Sequence, residues 1–320
     1  MKVQFPRLAR RGGYESFYLR AVDEETGRGL WLRHTFHAEG GGAPVVGSIW
    51  VPLFGADGGV VATKQSLTDI SDEGPDGWVR IGQSSFGPDG VRGQSADASW
   101  DLTFDALDSP LRHLPAEWLY GAPLPKTKPE SPMPIAAISG TVTVAGTTFE
   151  LDGWRGMVGH NWGSQHAERW IWLHGVQFAE RDDAWLDLVL GRVLVAGRML
   201  PWVGMGMLAL GDERIRLGGF GRRPQVHETP RALRLEIGGS QSAALQVVAE
   251  PPEDQIVVWR YADPDGSEHH VANCSVSGLK LDLVRKHGER LQLTTRHGGT
   301  YELGMRETAH GLQVQPFTDP

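Results

Sequence analysis

Along most of the chain, apolar and polar residues alternate with a period of two, and glycine, aspartate or asparagine closes each run. YESFYLRAV (14–22) and LWLRHTFHA (30–38), joined by the turn-rich DEETGRG, read as a β-hairpin. VVGSIWVPLF, GVVATKQSL, AISGTVTVAGTTFEL, RWIWLHGVQFA, AWLDLVLGRVLV, QIVVWRYA, HHVANCSVSGLKLDLV and TYELGMRE follow the same rule and are rich in β-branched and aromatic residues. The best stretch for a helix, 200–210, is interrupted by Gly204 and Gly206. The pattern predicts an all-β chain of roughly 16–20 strands, too many for one small barrel.

No short fixed repeat marks a propeller or solenoid. A chain of 320 residues suits two barrels or sandwiches of about 150 residues each. The proline-rich segment GAPLPKTKPESPMP (121–134) is either the boundary between them or a long loop within the first. The single cysteine, Cys274, excludes an intrachain disulfide and suits a reducing compartment. Its strand context favours a core role over a catalytic one. The net charge is −8 with signs mixed along the chain, which argues against a nucleic-acid partner. Arg7, Arg10 and Arg11 form a short basic cluster that reads as solvated. The opening MKVQFPRLARRGG lacks the apolar stretch of a secretory signal. No apolar run is long enough to span a bilayer. The expected location is the cytoplasm.

The densest chemistry lies in GHNWGSQHAERWIWLHG (159–175). Read as a strand, it sets Glu168, Trp170, Trp172 and His174 on one face and Ile171 and Leu173 on the other. A dry core would not choose a carboxylate and an imidazole without partners. The face is therefore a cavity wall or a half-exposed barrel rim. His160, His166 and His174 fit no zinc-ligand spacing, and neither HExxH nor a nearby cysteine supports one. Hydrogen-bonding or acid–base roles suit them better. In the first hairpin Tyr14, Ser16 and Tyr18 share a face, as do Trp31, Arg33, Thr35 and His37. Glu15, on an aromatic face, needs a partner, for which Arg33 and Arg20 are the candidates. GxSxG, a P-loop and a GxGxxG opening a helix are all absent from the sequence, so no nucleotide cofactor is supported.

YESFYLRAV followed by RGLWLRHTFH resembles the opening hairpin of the AttH/carotenoid-hydratase (hydroxyneurosporene synthase) group of lipocalin-like proteins. LDGWRGMVGHNWGSQHAERWIWLHG resembles that group's second signature, an acid-and-tryptophan block before a Trp-x-Trp strand. Tocopherol cyclases and Diels–Alder-type cyclases are similar at the fold level. The resemblance implies two tandem lipocalin-like antiparallel β-barrels, 1–165 and 166–320, with a hydrophobic pocket near their junction and 121–134 as a long loop beside it. It implies a hydrophobic small-molecule partner and a cofactor-independent, metal-free cyclisation, hydration or isomerisation of an isoprenoid, polyene or polyketide-like compound. A non-catalytic carrier is the alternative, and a structural protein with a vestigial pocket is a third reading. His160, His166 and Glu168 become the acid–base candidates. Asn161, Trp162, Trp170, Trp172, His174, Tyr14, Tyr18, Trp31, His37 and Asp187 become ligand contacts. The hydratase pattern also implies an acid within or just before the HNWG tetrad; here Gly159 and Asn161 stand there. Asp152, Glu168 and Asp187 remain as carboxyl candidates. None of these readings specifies an oligomeric state.

Overall fold

A computed structural model describes residues 2–56, 59–74, 77–95, 97–195, 197–219 and 221–317. Its pairings are antiparallel throughout the two large sheets. The first sheet has twelve strands. At its centre Gly13–Asp23 lies between Arg28–Ala38 and Thr147–Gly163. The sheet curls until its ends approach, and Gly47 lies so close to Ile70 and Ile81 that any side chain there would strike them. The second sheet has ten strands and is built around Arg169–Gly175, flanked by Ala184–Arg192 and Arg290–Met305. A small separate hairpin pairs Leu194–Val195 with Arg198–Met199. Among the described residues no helix is long and apolar enough to cross a membrane. The all-β, tandem-barrel architecture is the one expected.

The period-two pattern explains why the central strands are buried on both faces. Phe17, Leu19 and Ala21 enter the core of the first barrel with Leu32, Phe36 and Val158. Tyr18 and Val22, of opposite parity, leave that barrel and join Trp31, Trp50 and Met157 in a second apolar layer. The second sheet does the same. Ile171 and Leu173 pack inside it with Leu186 and Leu303, while Trp172 and Val176 reach the shared layer with Trp185, Trp259 and Val271. The predicted split of 170, 172 and 174 from 171 and 173 is thus a split between the junction and the second core. Cys274 is buried in the junction layer, and burial pushes its thiol up to about 12.

The proline-rich segment departs from the expected loop. Thr127–Val144 is a continuous strand with register shifts between Glu130 and Met133 and between Met133 and Ala136. Pro132 and Pro134 fall within these irregularities, where a missing backbone N–H breaks no ladder bond. Only 121–126 remains outside the strand.

The two sheets are fastened by a buried cation. Arg20 projects from the first sheet; its Nη2 donates to the carbonyls of Ser275 (2.8 Å) and Gly299 (3.0 Å), and its Nε also reaches Ser275 (3.2 Å). Its Nη1 lies 3.2 Å from Nδ1 of His174, whose Nε2 lies 3.0 Å from the Pro134 carbonyl. A carbonyl only accepts, so Nε2 carries the His174 proton and Nδ1 accepts from Arg20. Burial, followed by the Arg20 charge, pushes His174 down to about 4, so it is neutral. His174 therefore serves the barrel junction and not the ligand cavity. Burial lowers Arg20 to about 9, and the group remains charged at neutral pH. Arg20→Met removes donors from two buried carbonyls, each costing about 1–3 kcal/mol when left unmet. The urea midpoint should fall by the equivalent of about 2–5 kcal/mol, with Arg20→Lys falling less; an unchanged midpoint in Arg20→Met would contradict this role.

Candidate functional site at the barrel junction

The junction layer does not fill the space between the sheets. A cavity of about 300 Å³ remains. The first sheet presents Tyr14, Tyr18, Trp31, Arg33 and Asn161 to it; the second presents Trp170, Trp172, Val189, Met205 and Glu302, and Tyr261 completes the wall. Pro125, Lys126, Val193, Leu200 and Pro201 form part of the lining from the adjoining loops. Two glycines make room for the aromatic wall. A Cβ on Gly159 would lie 2.2 Å from the Tyr18 ring, and one on Gly304 would lie 2.2 Å from the Trp170 ring. Gly159 is therefore required by the close approach of an aromatic ring.

His166 sits on the link between the sheets and lines the cavity. Its ring stacks on Tyr14, with centroids 3.8 Å apart, and on Trp170 at 5.3 Å. Its Nδ1 lies 2.7 Å from Oδ1 of Asp263, and the same oxygen accepts the His166 backbone N–H at 2.9 Å. Burial raises the Asp263 carboxyl, but hydrogen bonds from His166 and His269 outweigh it and hold the group ionised, far below the usual carboxylate range. A carboxylate accepts, so Nδ1 carries the His166 proton. Burial lowers His166 below its ordinary value despite Asp263, so the ring is neutral at neutral pH. Nε2 is left as a buried acceptor with no hydrogen-bond partner among the described residues. An aspartate that fixes the tautomer and an imidazole with a free Nε2 are the arrangement a general base needs.

Glu302 has the opposite electrostatic setting. Its Oε1 accepts from Trp170 Nε1 at 2.9 Å and its Oε2 from Asn273 Nδ2 at 3.1 Å. Burial raises its pKa, and the opposing influence of Trp170 and Arg33 does not cancel that rise. The cavity thus pairs a base with a depressed pKa and a carboxyl with an elevated one. Opposed shifts of this kind are what an acid–base pair requires. Asn161 adds a buried Oδ1 without a partner among the described residues.

His166, Asp263 and His269 each offer a metal-ligating atom, all within 4.8 Å of one another. Arg306 already pairs with Asp263 Oδ2 at 3.2 Å, and its charge opposes a cation there.

The remaining sequence candidates lie elsewhere. His160 is sealed inside the first barrel, its Nε2 2.7 Å from Glu15 Oε1 and its Nδ1 2.9 Å from Glu130 Oε1. Glu15 thus finds its partner in His160, not in Arg33 or Arg20, and also accepts the backbone N–H groups of Gln4 and Phe5. Trp162 stacks on His160 at 4.7 Å, away from the cavity. Glu168 pairs with Arg306 at 3.3 Å. Asp187 lies behind the cavity wall, accepting from Ser131 Oγ at 2.5 Å and Trp172 Nε1 at 3.3 Å, with His113 Nε2 at 3.2 Å. His37 lines a small recess of about 20 Å³ beside the cavity. Tyr14, Tyr18, Trp31, Asn161, His166, Trp170 and Trp172 do come together around one space.

Sequence reasoning missed Asp263, Glu302 and Arg33 as site residues. Asp263 lies in ADPDG, which reads as a plain turn. The signal for Glu302 was present: in TYELGM, Tyr301, Leu303 and Met305 enter the second core, leaving a carboxyl on the opposite face.

This double-barrel fold is shared with several solved structures. No family model matches the sequence. The chain superposes on CghA, crystallised with Sch210972, with a TM-score of 0.66 at 12% identity over 92% of this chain and 89% of that one. It superposes on an AttH-type protein of Nitrosomonas europaea with a TM-score of 0.57 at 13% identity, covering 96% and 97% of the two chains. For kievitone hydratase of Nectria haematococca the TM-score is 0.53 at 12% identity, covering 91% and 88%. In sequence, the chain is 28% identical over 315 residues to an uncharacterised protein of Mycobacterium tuberculosis, covering 93% of this chain and 88% of that protein.

The His160 clamp has a pH signature. Both ring nitrogens donate to carboxylates, so the ring is an imidazolium. Burial opposes that charge, but the hydrogen bonds His160 donates to Glu130 and Glu15 prevail and its pKa is raised. A raised folded-state pKa gives stability that is complete below about 6.5, the unfolded value, and is lost as pH rises through the folded value. Thermal unfolding from pH 6 upward should show this decline. His160→Gln should lower the melting temperature at pH 6 and flatten the decline; an unchanged slope would rule the clamp out as its source.

Proposed function

We propose that this protein is a cofactor-independent enzyme that moves a proton within an apolar small molecule bound at the barrel junction. The observation that carries this reading is the neutral His166, oriented by Asp263, with an unpartnered Nε2 in a cavity wall that also holds the raised-pKa Glu302. A carrier would need the apolar walls but not this pair. The fold supports the reading to a lesser degree: CghA was crystallised with the small molecule Sch210972, and kievitone hydratase is by name a hydratase.

The chemistry balances without a redox step. His166 Nε2 takes a proton from a C–H or O–H of the substrate, and the Glu302 carboxyl gives one to carbon elsewhere in the same molecule. If the first proton comes from carbon, the net result is isomerisation. If it comes from a substrate hydroxyl that closes onto an alkene, the result is cyclisation; if from water, hydration. In each case one proton leaves and one enters, and solvent exchange resets both groups. Developing positive charge on carbon would face Trp31, Trp170 and Trp172, whose ring faces attract cations. His160 and Glu168, the other acid–base candidates, take no part in this scheme. Residues 1–165 and 166–320 would each supply one wall.

Organic extraction of the protein from its own host would supply the bound compound, which is then returned to fresh protein. The native enzyme should convert the compound or its precursor. His166→Gln should keep binding within about threefold and lose at least 100-fold in rate, the span of general acid–base catalysis. Recovery of both compounds unchanged would make the protein a carrier. The rate should rise with pH as His166 deprotonates and fall as Glu302 ionises. Trp170→Phe removes a donor that favours ionised Glu302, so the alkaline fall should move to higher pH.

A further inference from the structure

Arg33 is buried, lines the cavity, and is used by neither the fold's ion pairs nor the proton-transfer pair. Its Nε donates to Ser16 Oγ at 2.5 Å. Its guanidinium lies over the rings of Tyr261 (4.3 Å), Trp31 (5.6 Å) and Trp50 (5.9 Å). Among the described residues no carboxylate lies within ion-pair distance, and neither Nη1 nor Nη2 has a hydrogen-bond partner. The nearby carboxyls are otherwise engaged: Glu302 by Trp170 and Asn273, Asp263 by His166 and Arg306. An arginine stays charged at neutral pH, and its buried N–H donors need acceptors or a counter-charge. Cation–π contacts hold the group in place but offer its terminal N–H donors nothing.

We propose that the cavity takes an amphipathic carboxylate, with its two oxygens on Nη1 and Nη2 of Arg33 and its apolar body along Trp170, Trp172, Val189 and Met205. The planar fork matches a carboxylate with two parallel hydrogen bonds. With Nε held by Ser16, the terminal nitrogens are the ones left to donate, so the anion docks end-on. The stretch of wall along Trp170, Trp172, Val189 and Met205 is apolar and suits a hydrocarbon body. This inference rests on the junction cavity being a ligand site. It holds whether the occupant is converted or only carried.

The test uses decanoate, methyl decanoate and decanol at pH 7.5, followed by the intrinsic fluorescence of the cavity tryptophans. The native protein should bind decanoate at least tenfold more tightly than the ester or the alcohol. Arg33→Met should bind the three alike, retaining ester affinity within about threefold, and Arg33→Lys should restore part of the preference. Equal binding of acid and ester by the native protein, or a preference that survives in Arg33→Met, would overturn the proposal. So would failure of all three to bind. Should Arg33→Met not fold, Ser16→Ala, which frees Nε without removing the charge, must still prefer the acid. Because no turnover is read, a failure here leaves the His166–Glu302 reading standing, and a failure of conversion leaves this one standing.

Discussion

The guanidinium of Arg20 holds together everything that depends on two barrels acting as one body. Each sheet has an outer face rich in large aromatic residues, and apolar contact alone would allow the faces to slide. Arg20 removes that freedom because its acceptors are fixed points of the opposing backbone, the carbonyls of Ser275 and Gly299. His174 extends the lock to the Pro134 carbonyl on the first sheet. Burying such a charge has a desolvation cost, and the return is registry more than stability. With the sheets locked, the gap between Tyr18, Trp31 and Trp172 keeps its shape and serves as a cavity.

Three histidines show how partners decide the state of one side chain. His160 faces two carboxylates and becomes a cation that clamps Glu15 and Glu130. His174 faces a guanidinium and a carbonyl and stays neutral. His166 faces one carboxylate at Nδ1 and nothing at Nε2, so it too stays neutral but keeps an unused lone pair. His160 and His174 are fully buried and His166 keeps only a small exposure, so burial alone does not set their states. Only the third combines a cavity position with unspent hydrogen-bonding capacity, the condition for chemistry on a bound molecule.

The fold was legible because strand periodicity is a local property. The parity of Trp170, Trp172 and His174 could be read directly, and it correctly separated them from Ile171 and Leu173. The site was legible only where it follows that parity, as for Tyr14, Tyr18, Trp31, Asn161 and the two tryptophans. It was hidden where partners come from distant segments. His160 looked catalytic because Glu15, 145 residues away, cannot be seen to claim it. Asp263 looked like a turn residue because His166 lies 97 residues earlier. Prolines misled for a different reason: composition marks 121–134 as irregular, yet register shifts in the ladder absorb Pro132 and Pro134 within a strand.

Fold likeness at 12–13% identity transfers the container and leaves its chemistry to be read from this chain. In that reading Trp170 is the pivot. Its Nε1 orients the Glu302 carboxyl, while its ring face carries the His166 imidazole. Gly304 is bare so that the indole can lie flat on the second sheet. One rigid side chain therefore positions both the group that would donate a proton and the group that would accept one. The donor comes from the strand Arg290–Met305 and the acceptor from the link between the barrels. Both groups belong to the C-terminal half, while Tyr14 of the first sheet stacks on the His166 ring, so the enclosed arrangement depends on where the sheets meet and on the lock at Arg20 that holds them.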